Sequence, residues 1–483
     1  MNAPASLLWF RLDLRLADNP ALCAATACGA PVIPVFIWAP EEEAPWPPGA
    51  ASRAWLNQSV RALEADLANR GSRLIIRRGP TLEAMRQLII DTGAGAVFWH
   101  RRCEPAQRLQ EIQVMDLARS RGVEAGVFNG ALLHEPSALV NKGGRPFRVF
   151  TPFWRTWLDE ADPPVPLPVP RRLPAPKKWP DSLPLAALEL RPRLPWEARI
   201  LSGWRPGTGG AMVALERFLT QALLDYPDRR DFPGHTGTSR LSPHLHFGEI
   251  SPRQAWHAIR QFAEARSIPV QRWQHWQFIT ELGWREFAHH VLWHFPYVAE
   301  RPLHEEYARF PWREDATRLA AWQHGITGVP LVDAGMRELW ATGWMHNRAR
   351  MIAASFLAKN LLISWHDGAR WFWDTLVDAD LANNTLGWQW SSGCGADAAP
   401  FFRVFNPVTQ GERFDADGHY TQSWVPELAR LPRVWIHRPW KAPATVLESA
   451  GIELGQTYPE PIVNLAISRA VALDAFRRFK ARQ

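Results

Sequence analysis

A chain of 483 residues, 46% hydrophobic and 21% charged, has the composition of a soluble globular protein and the length for two or three domains. Lys plus Arg exceed Asp plus Glu, 55 against 48. The resulting net charge of +7 fits a polyanionic partner such as nucleic acid, although a merely basic soluble protein has the same balance. Cys23, Cys28, Cys103 and Cys394 form no CxxC pair and no zinc or iron–sulfur spacing, so no metal is expected and a reducing compartment is. No apolar run is long enough to span a bilayer, and the Asn-Ala-Pro-Ala opening lacks a signal-peptide pattern. The expected location is the cytoplasm, with no membrane partner.

Residues 6–135 alternate between short β-branched runs (7–10, 32–38, 73–77, 96–100, 124–129) and stretches of helical period such as 51–70 and 81–91. This alternation predicts an α/β doubly wound parallel sheet over residues 1–135. Ligands in such sheets sit beyond the carboxyl ends of the strands, which singles out the loops after Phe10 and His100. Between 161 and 196 eleven prolines interrupt any period, so residues 136–200 read as a Pro-rich connector. From 201 to 483 the strand signal fades. Segments 210–225, 251–265, 273–295, 332–340, 346–362 and 368–377 carry apolar residues three and four apart, which predicts an all-α second domain.

Trp is the compositional outlier, with 27 against 5 Tyr, and eighteen of them lie after residue 200. Large aromatics packing a core explain such an excess, yet Trp is rarely fully buried and also suits stacking or redox work. Within the helical part, Gly237-Thr238-Ser239-Arg240-Leu241-Ser242 precedes an apolar stretch. Hydroxyls and amides at a helix mouth form a phosphate site; plain capping by Thr or Ser is the alternative. Glu281, Trp284 and Arg285 share a helical face, as an amphipathic helix with an ion pair also would. His290 and His294 are four apart but have no carboxylate pattern nearby, so packed histidines are expected rather than a metal site. Asn347, Arg350 and Met351 share a face beside Trp344 and Met345. The run from Asp378 to Trp390 holds carboxylates, side-chain amides and two indoles among small residues. It is too polar for a core helix and reads as a binding wall for a flat ring.

Six collinear motifs resemble the photolyase/cryptochrome family. They are residues 9–19 (Trp-Phe-Arg-Leu-Asp-Leu-Arg-Leu-Ala-Asp-Asn), Thr-Ser-Arg-Leu-Ser at 238–242, Trp-Arg-Glu-Phe at 284–287, Gly-Trp-Met-His-Asn-Arg at 343–348, Asp-Ala-Asp-Leu-Ala-Asn-Asn at 378–384 and Trp-Gln-Trp at 388–390. The resemblance covers nearly the whole chain. It implies an N-terminal α/β domain and a helical FAD-binding domain. Tyr226, Thr238, Ser239, Arg240, Leu241 and Ser242 would hold the flavin's phosphates and ribitol; Trp344, Asn347, Arg350, Asp378, Asp380 and Asn384 would surround its rings. It further implies repair of cyclobutane pyrimidine dimers in UV-damaged DNA, single- or double-stranded, by an electron from photoexcited FADH⁻ to a flipped-out dimer. Glu281 would steady the dimer's carbonyls, Trp284 and Trp390 would wall it, and Met351 would pack beside it. Arg285, Arg348 and Arg403 would meet flanking phosphates. Trp388, Trp365 and Trp312 match the family's electron-carrying tryptophan chain. A monomer and an antenna pigment, methenyltetrahydrofolate or a deazaflavin, are also implied; Ala106-Gln107 stands where some folate-binding members carry Asn-Glu.

Three branches of the family differ at single letters. The six-four branch is expected to carry His at 347 and 351, where this chain has Asn and Met. Plant-type cryptochromes tend to carry Asp in place of Asn384, to lose the Trp284 wall, and to extend well past the helical domain, whereas this chain ends soon after its last expected helix. The iron–sulfur branch needs four Cys in the helical domain, and only Cys394 is there. These letters favour dimer repair over a blue-light sensor without repair activity.

Overall fold

The computed structural model describes residues 4–160, 162–192, 196–401 and 403–482. Residues 1–3, the start of the opening that lacks a signal-peptide pattern, residue 161, and 193–195 near the end of the connector lie outside these residues, as do Phe402 and Gln483. Five strands, β1 (Ser6–Phe10), β2 (Val32–Trp38), β3 (Ile75–Arg78), β4 (Ala96–His100) and β5 (Glu124–Phe128), form one parallel sheet in the order β3-β2-β1-β4-β5. β1, β2 and β4 are buried along their full length, which is why they read as continuous apolar runs rather than alternating ones. The helices Ala50–Ala68, Thr81–Thr92 and Pro105–Ser120 follow β2, β3 and β4 as the crossovers that parallel pairing demands. The expected doubly wound sheet is present.

Within 136–200 the described residues form the helix Phe150–Glu160 and a short 3-10 turn, Leu185–Leu188, and the helix Glu197–Leu201 begins. Beyond Phe150–Glu160 the proline-rich stretch lies along the sheet region: Val32 N–H donates to Pro174 O, Asp18 N–H to Leu167 O, and Leu183 N–H to Ile76 O. Packing divides the chain into two compact units, one of residues 1–221, 239–296 and 380–382, the other of 222–238, 297–379 and 383–483.

After residue 200 the regular elements among the described residues are helices, as the 3.6-residue periodicity required. The helices include Pro252–Glu264, Gln277–His294, Pro330–Thr342, Asn347–Ser355 and Trp365–Thr375. Asn347–Ser355 continues as a π-helical turn, Phe356–Asn360. One reading is corrected. Residues Leu381–Ser392, too polar by sequence for a core helix, form an α-helix whose Thr385, Trp388, Gln389, Ser391 and Ser392 are all buried. Gln389 shows how that polarity is tolerated. Its amide donates to the Val298 and Arg301 carbonyls at 2.7 and 2.9 Å and accepts from Leu303 N–H at 2.9 Å. A buried amide with its donors and acceptor all engaged is stabilising rather than costly.

Candidate functional site

In the sheet-containing unit, β1 and β4 are where the strand order reverses, and a doubly wound fold offers its ligand crevice there. This crevice is filled by the protein itself. Arg11, 7% exposed, donates to Gln107 O at 3.0 Å and Gln110 Oε1 at 3.1 Å. Those glutamines donate in turn to Glu43 at 2.6 Å and Glu42 at 2.8 Å. Asp13 pairs with His100 at 2.6 Å, both buried. Burial, opposed by Arg102, pushes Glu43 up to about 7. The loop after His100 borders a cavity of about 30 Å³, room for roughly one water.

That cavity carries the first of the predicted flavin residues. Asp380 lies 3.3 Å from His289 Nε2 and 3.6 Å from His246 Nδ1. Burial opposes its ionisation, but the two imidazoles outweigh this and hold the carboxyl well below the usual carboxylate range. His289 is correspondingly raised despite its own burial. Arg285 borders the same cavity. It was expected at a DNA phosphate, yet its side chain is 12% exposed and its guanidinium donates to Ala131 O at 2.7 Å beside Glu286 at 3.7 Å. The neighbouring carboxylate and carbonyl draw it inward.

On the helix Gln277–His294, Glu281 accepts from Gln277 Nε2 at 2.8 Å. Trp284 stacks on Phe150 at 3.8 Å with ring planes 10° apart, so one indole face is covered by a residue the sequence did not single out. His290 and His294 pack with rings 4.5 Å apart and bond backbone, His290 accepting from Phe147 N–H and His294 meeting Pro136 O. Among the described residues no cluster of His, Cys, Asp and Glu could hold a metal.

At 239–246 the short helix Ser242–His246 has no side-chain cap bond; Ser239 Oγ instead accepts from Leu241 N–H at 3.3 Å. Arg240 has φ 54° and lays its guanidinium over Trp204, 4.6 Å from the ring centre. Capping by side chain is therefore not what the hydroxyls of this element do.

In the other unit, Tyr226 is buried and Thr238 half-buried. Gly343, with φ 66°, ends the helix Pro330–Thr342, and the next residues present Trp344, His346, Asn347 and Arg350. Arg350 is held on two sides: Nη2 donates to both Asp378 oxygens at 3.1 and 2.9 Å, and Nε to Met345 O at 2.7 Å. With Nη2 and Nε held by separate partners, the guanidinium plane is fixed. Asn347 is exposed, with its amide 3.8 Å from Met351 Sδ. Arg348, another expected phosphate contact, pairs with Asp231 at 2.7 Å and covers Phe414, leaving 16% of its side chain exposed. Arg403 is exposed.

Asn384 Nδ2 donates to Ala369 O at 3.0 Å, which leaves the amide oxygen as the end that can accept from a ligand. Trp388, 2% exposed, meets Phe372 and Trp322 edge-on at 5.0 and 6.0 Å. Trp365 is also 2% exposed and stacks on His366 at 3.8 Å. Trp312 is half-buried against Phe310, and Trp390 is half-buried. Gly368 has no room for a side chain, since a Cβ there would lie 2.0 Å from the Trp388 ring.

Among the described residues, the buried N–H groups of this unit that have no protein acceptor include His346 Nε2, Arg348 Nε and Trp388 Nε1. His346 Nδ1 accepts from Arg348 N–H, and burial pushes its imidazole down to about 4, so the neutral ring carries its proton on Nε2. Unmet donors beside the Arg350–Asp378 pair fit an acceptor-rich group with phosphates and carbonyls, which FAD is. Sequence reasoning passed over His346, Gln389 and Trp322. Their types carry no signal until burial shows which polar atom is paired.

Residues 6–171 match the family described as DNA photolyase, and 278–478 that described as the FAD binding domain of DNA photolyase. The chain is 47% identical to a deoxyribodipyrimidine photo-lyase of Agrobacterium fabrum over 98% of each chain. It is 41% identical to cryptochrome-2 of Arabidopsis thaliana, over 99% of this chain and 79% of that one. The crystal structure of a bacterial class III photolyase from Agrobacterium tumefaciens superposes with a TM-score of 0.95 at 46% identity, covering 100% of this chain and 98% of that one. A cryptochrome structure from Synechocystis gives 0.90 at 31%, over 98% and 99%. With similarity running end to end, and with a parallel sheet followed by a helical FAD-binding domain, this chain belongs to the photolyase/cryptochrome family.

Proposed function

We propose that this protein is a light-dependent deoxyribodipyrimidine photolyase that splits cyclobutane pyrimidine dimers in UV-damaged DNA. Photolyases and cryptochromes both resemble it over nearly its whole length, and the Agrobacterium photolyases do so more strongly, at 47% identity and a TM-score of 0.95 against 41% and 0.90, which favours repair over sensing. The observation that carries repair is Asn384. Its amide is turned by the Ala369 carbonyl so that a neutral oxygen is left to accept. A carboxylate at that place would oppose an anionic reduced ring, and a neutral amide does not.

FAD, when bound and fully reduced, supplies the light-driven electron for splitting the dimer. Arg350, braced by Asp378, would hold the ring's polar edge, and the unmet His346 donor would meet one of its acceptors. Trp344, Asn347 and Asp380 are assigned to the same cofactor, as are Tyr226, Thr238, Ser239, Arg240, Leu241 and Ser242. Trp284 would stack on the flipped dimer with the indole face that Phe150 leaves open; Trp390 and Met351 complete the apolar wall. Glu281 would hydrogen-bond the pyrimidine carbonyls. Trp388, Trp365 and Trp312 would return electrons to an oxidised flavin. Arg285, Arg348 and Arg403 are assigned to the flanking phosphates, Arg403 being the one that is exposed in the free protein. The protein would act as a monomer in the cytoplasm; among the described residues no helix is long and apolar enough to cross a membrane.

A second, light-gathering pigment, methenyltetrahydrofolate or a deazaflavin, belongs to the same proposal. With the sheet crevice filled, support comes from a groove of about 310 Å³ in the sheet-containing unit, near the lower bound for small-molecule sites. Trp256 and Trp273 line it, edge-to-face at 5.1 Å, with Arg260 and Glu264. A near-ultraviolet or blue absorption band beyond that of FAD would identify the pigment, and a spectrum of FAD alone would remove it.

The deciding experiment mixes prereduced protein with dimer-containing DNA. Thymine absorbance should recover under blue light and not in darkness. No recovery in light leaves the sensor reading in place.

A further inference from the structure

Lys359 is a buried lysine for which the repair reading has no use. It is 1% exposed and sits in the π-helical turn Phe356–Asn360, a geometry found often at functional sites. Its ammonium donates to the backbone carbonyl of Arg403 at 3.0 Å and lies 5.5 Å from the Phe401 ring. Burial, with Arg403 adding repulsion, pushes the amine down to about 8. An alkyl side chain would fill this space without the desolvation penalty of an ammonium. The carbonyl it holds is what the charge is there for.

That carbonyl belongs to an irregular stretch, residues 393–406, between the helices Leu381–Ser392 and Pro407–Phe414. The stretch is shaped at several points. Gly393 has φ 80° with little space for a side chain, and Asp397 takes the left-handed region at φ 48°. Phe401 is 2% exposed. Arg403 N–H donates to Pro400 O at 2.9 Å, and Phe405 N–H reaches Ser355 Oγ at 3.5 Å. Ser355 and Lys359 are four residues apart and hold the stretch on either side of Val404. Among the described residues from Phe401 to Phe405, Arg403 is the one that is exposed.

We propose that Lys359 is a positioning residue for DNA: by holding the Arg403 carbonyl it fixes the exposed Arg403 guanidinium for a backbone phosphate of the damaged strand. This rests on the reading of Arg403 as a phosphate contact. An arginine on a mobile stretch must be ordered on binding, at the cost of side-chain and loop entropy; Lys359 supplies that order in the free protein.

The test uses FAD-loaded protein and a dimer-containing duplex oligonucleotide, with binding measured across a salt series. Arg403→Ala should lower the slope of log affinity against log salt by about 0.9, one phosphate contact. Lys359→Met should lower the slope in the same direction with the FAD-to-protein ratio unchanged. In the double variant Lys359→Met should add nothing, giving a coupling of roughly threefold or more. A slope left at the parent's value in Lys359→Met, beside a weakened Arg403→Ala, overturns the proposal alone, as do additive effects. Parent-like binding by Arg403→Ala overturns the phosphate reading and the proposal with it. Lys359→Gln keeps an N–H donor and covers the case in which Met is not tolerated; its loss, too, must vanish when Arg403 is absent.

Discussion

The crevice at the carboxyl ends of the strands and the segment from Trp344 to Arg350 are both dense in arginine and histidine, and they do opposite things with them. In the crevice most of the polar groups answer one another: Arg11 to Gln107 and Gln110, the glutamines to Glu42 and Glu43, His100 to Asp13; Arg11 Nη1 is an exception, 3.9 Å from Glu111 without a hydrogen bond. In the helical segment Arg350 pairs with Asp378 and Arg348 with Asp231, while N–H donors of His346 and Arg348 are left unmet. Buried donors are rarely left orphaned without reason. A place can look like a ligand site by topology and be closed by chemistry; another, with no topological rule to recommend it, is kept open by what it leaves unsatisfied.

Breaking the pair in the open segment should have the largest effect. Asp378→Asn leaves a three-quarters buried guanidinium without its counter-charge and should cost about 4 kcal/mol of stability. Calorimetry would show it, with the FAD-to-protein absorbance ratio falling alongside; full FAD retention would mean the pair serves only the fold. Acid comes next. His346 titrates near 4 in the folded protein against 6.5 unfolded, so the unfolded chain binds the proton first. Its contribution is complete above pH 6.5 and is lost as pH falls toward 4, roughly 3 kcal/mol in all. His290, pushed down to about 3 by burial, acts in the same direction. A melting temperature flat between those pH values would contradict both.

Arg11→Met tests the closed crevice. It should cost about 2 kcal/mol through lost charged hydrogen bonds while FAD content stays at the parent level. FAD loss without destabilisation would erase the contrast between the two regions. The smallest effect is expected from Trp284→Ala, which should weaken binding of damaged DNA by about 1 to 2 kcal/mol, one stacked base, with flavin intact. Titration of a dimer-containing oligonucleotide checks it, and a flavin-depleted variant would mean the indole is part of the cofactor site instead.

Much of the frame was readable from one dimension. The runs at 7–10, 32–38 and 96–100 are apolar on both faces because those strands are buried on both faces, and helical periodicity survives wherever a helix has one wet side. The stretch 381–392 resisted for the same reason in reverse. Its polar residues are buried, so no apolar stripe marks them, and only the carbonyls at Val298 and Arg301 explain why Gln389 belongs inside. The phosphate arginines divide likewise: three letters of equal charge, of which the fold pairs Arg285 and Arg348 internally and leaves Arg403 to solvent.

The sequence by itself determined the element types, the family resemblance and the neutral residue at 384, because period, motif order and side-chain charge are properties of the chain. Only the tertiary structure decided which donors are already answered, which way the Asn384 amide is turned, and which lysine holds which carbonyl. Hydrogen bonding is set by distances between residues far apart in the chain, and burial sets what an unanswered polar group costs.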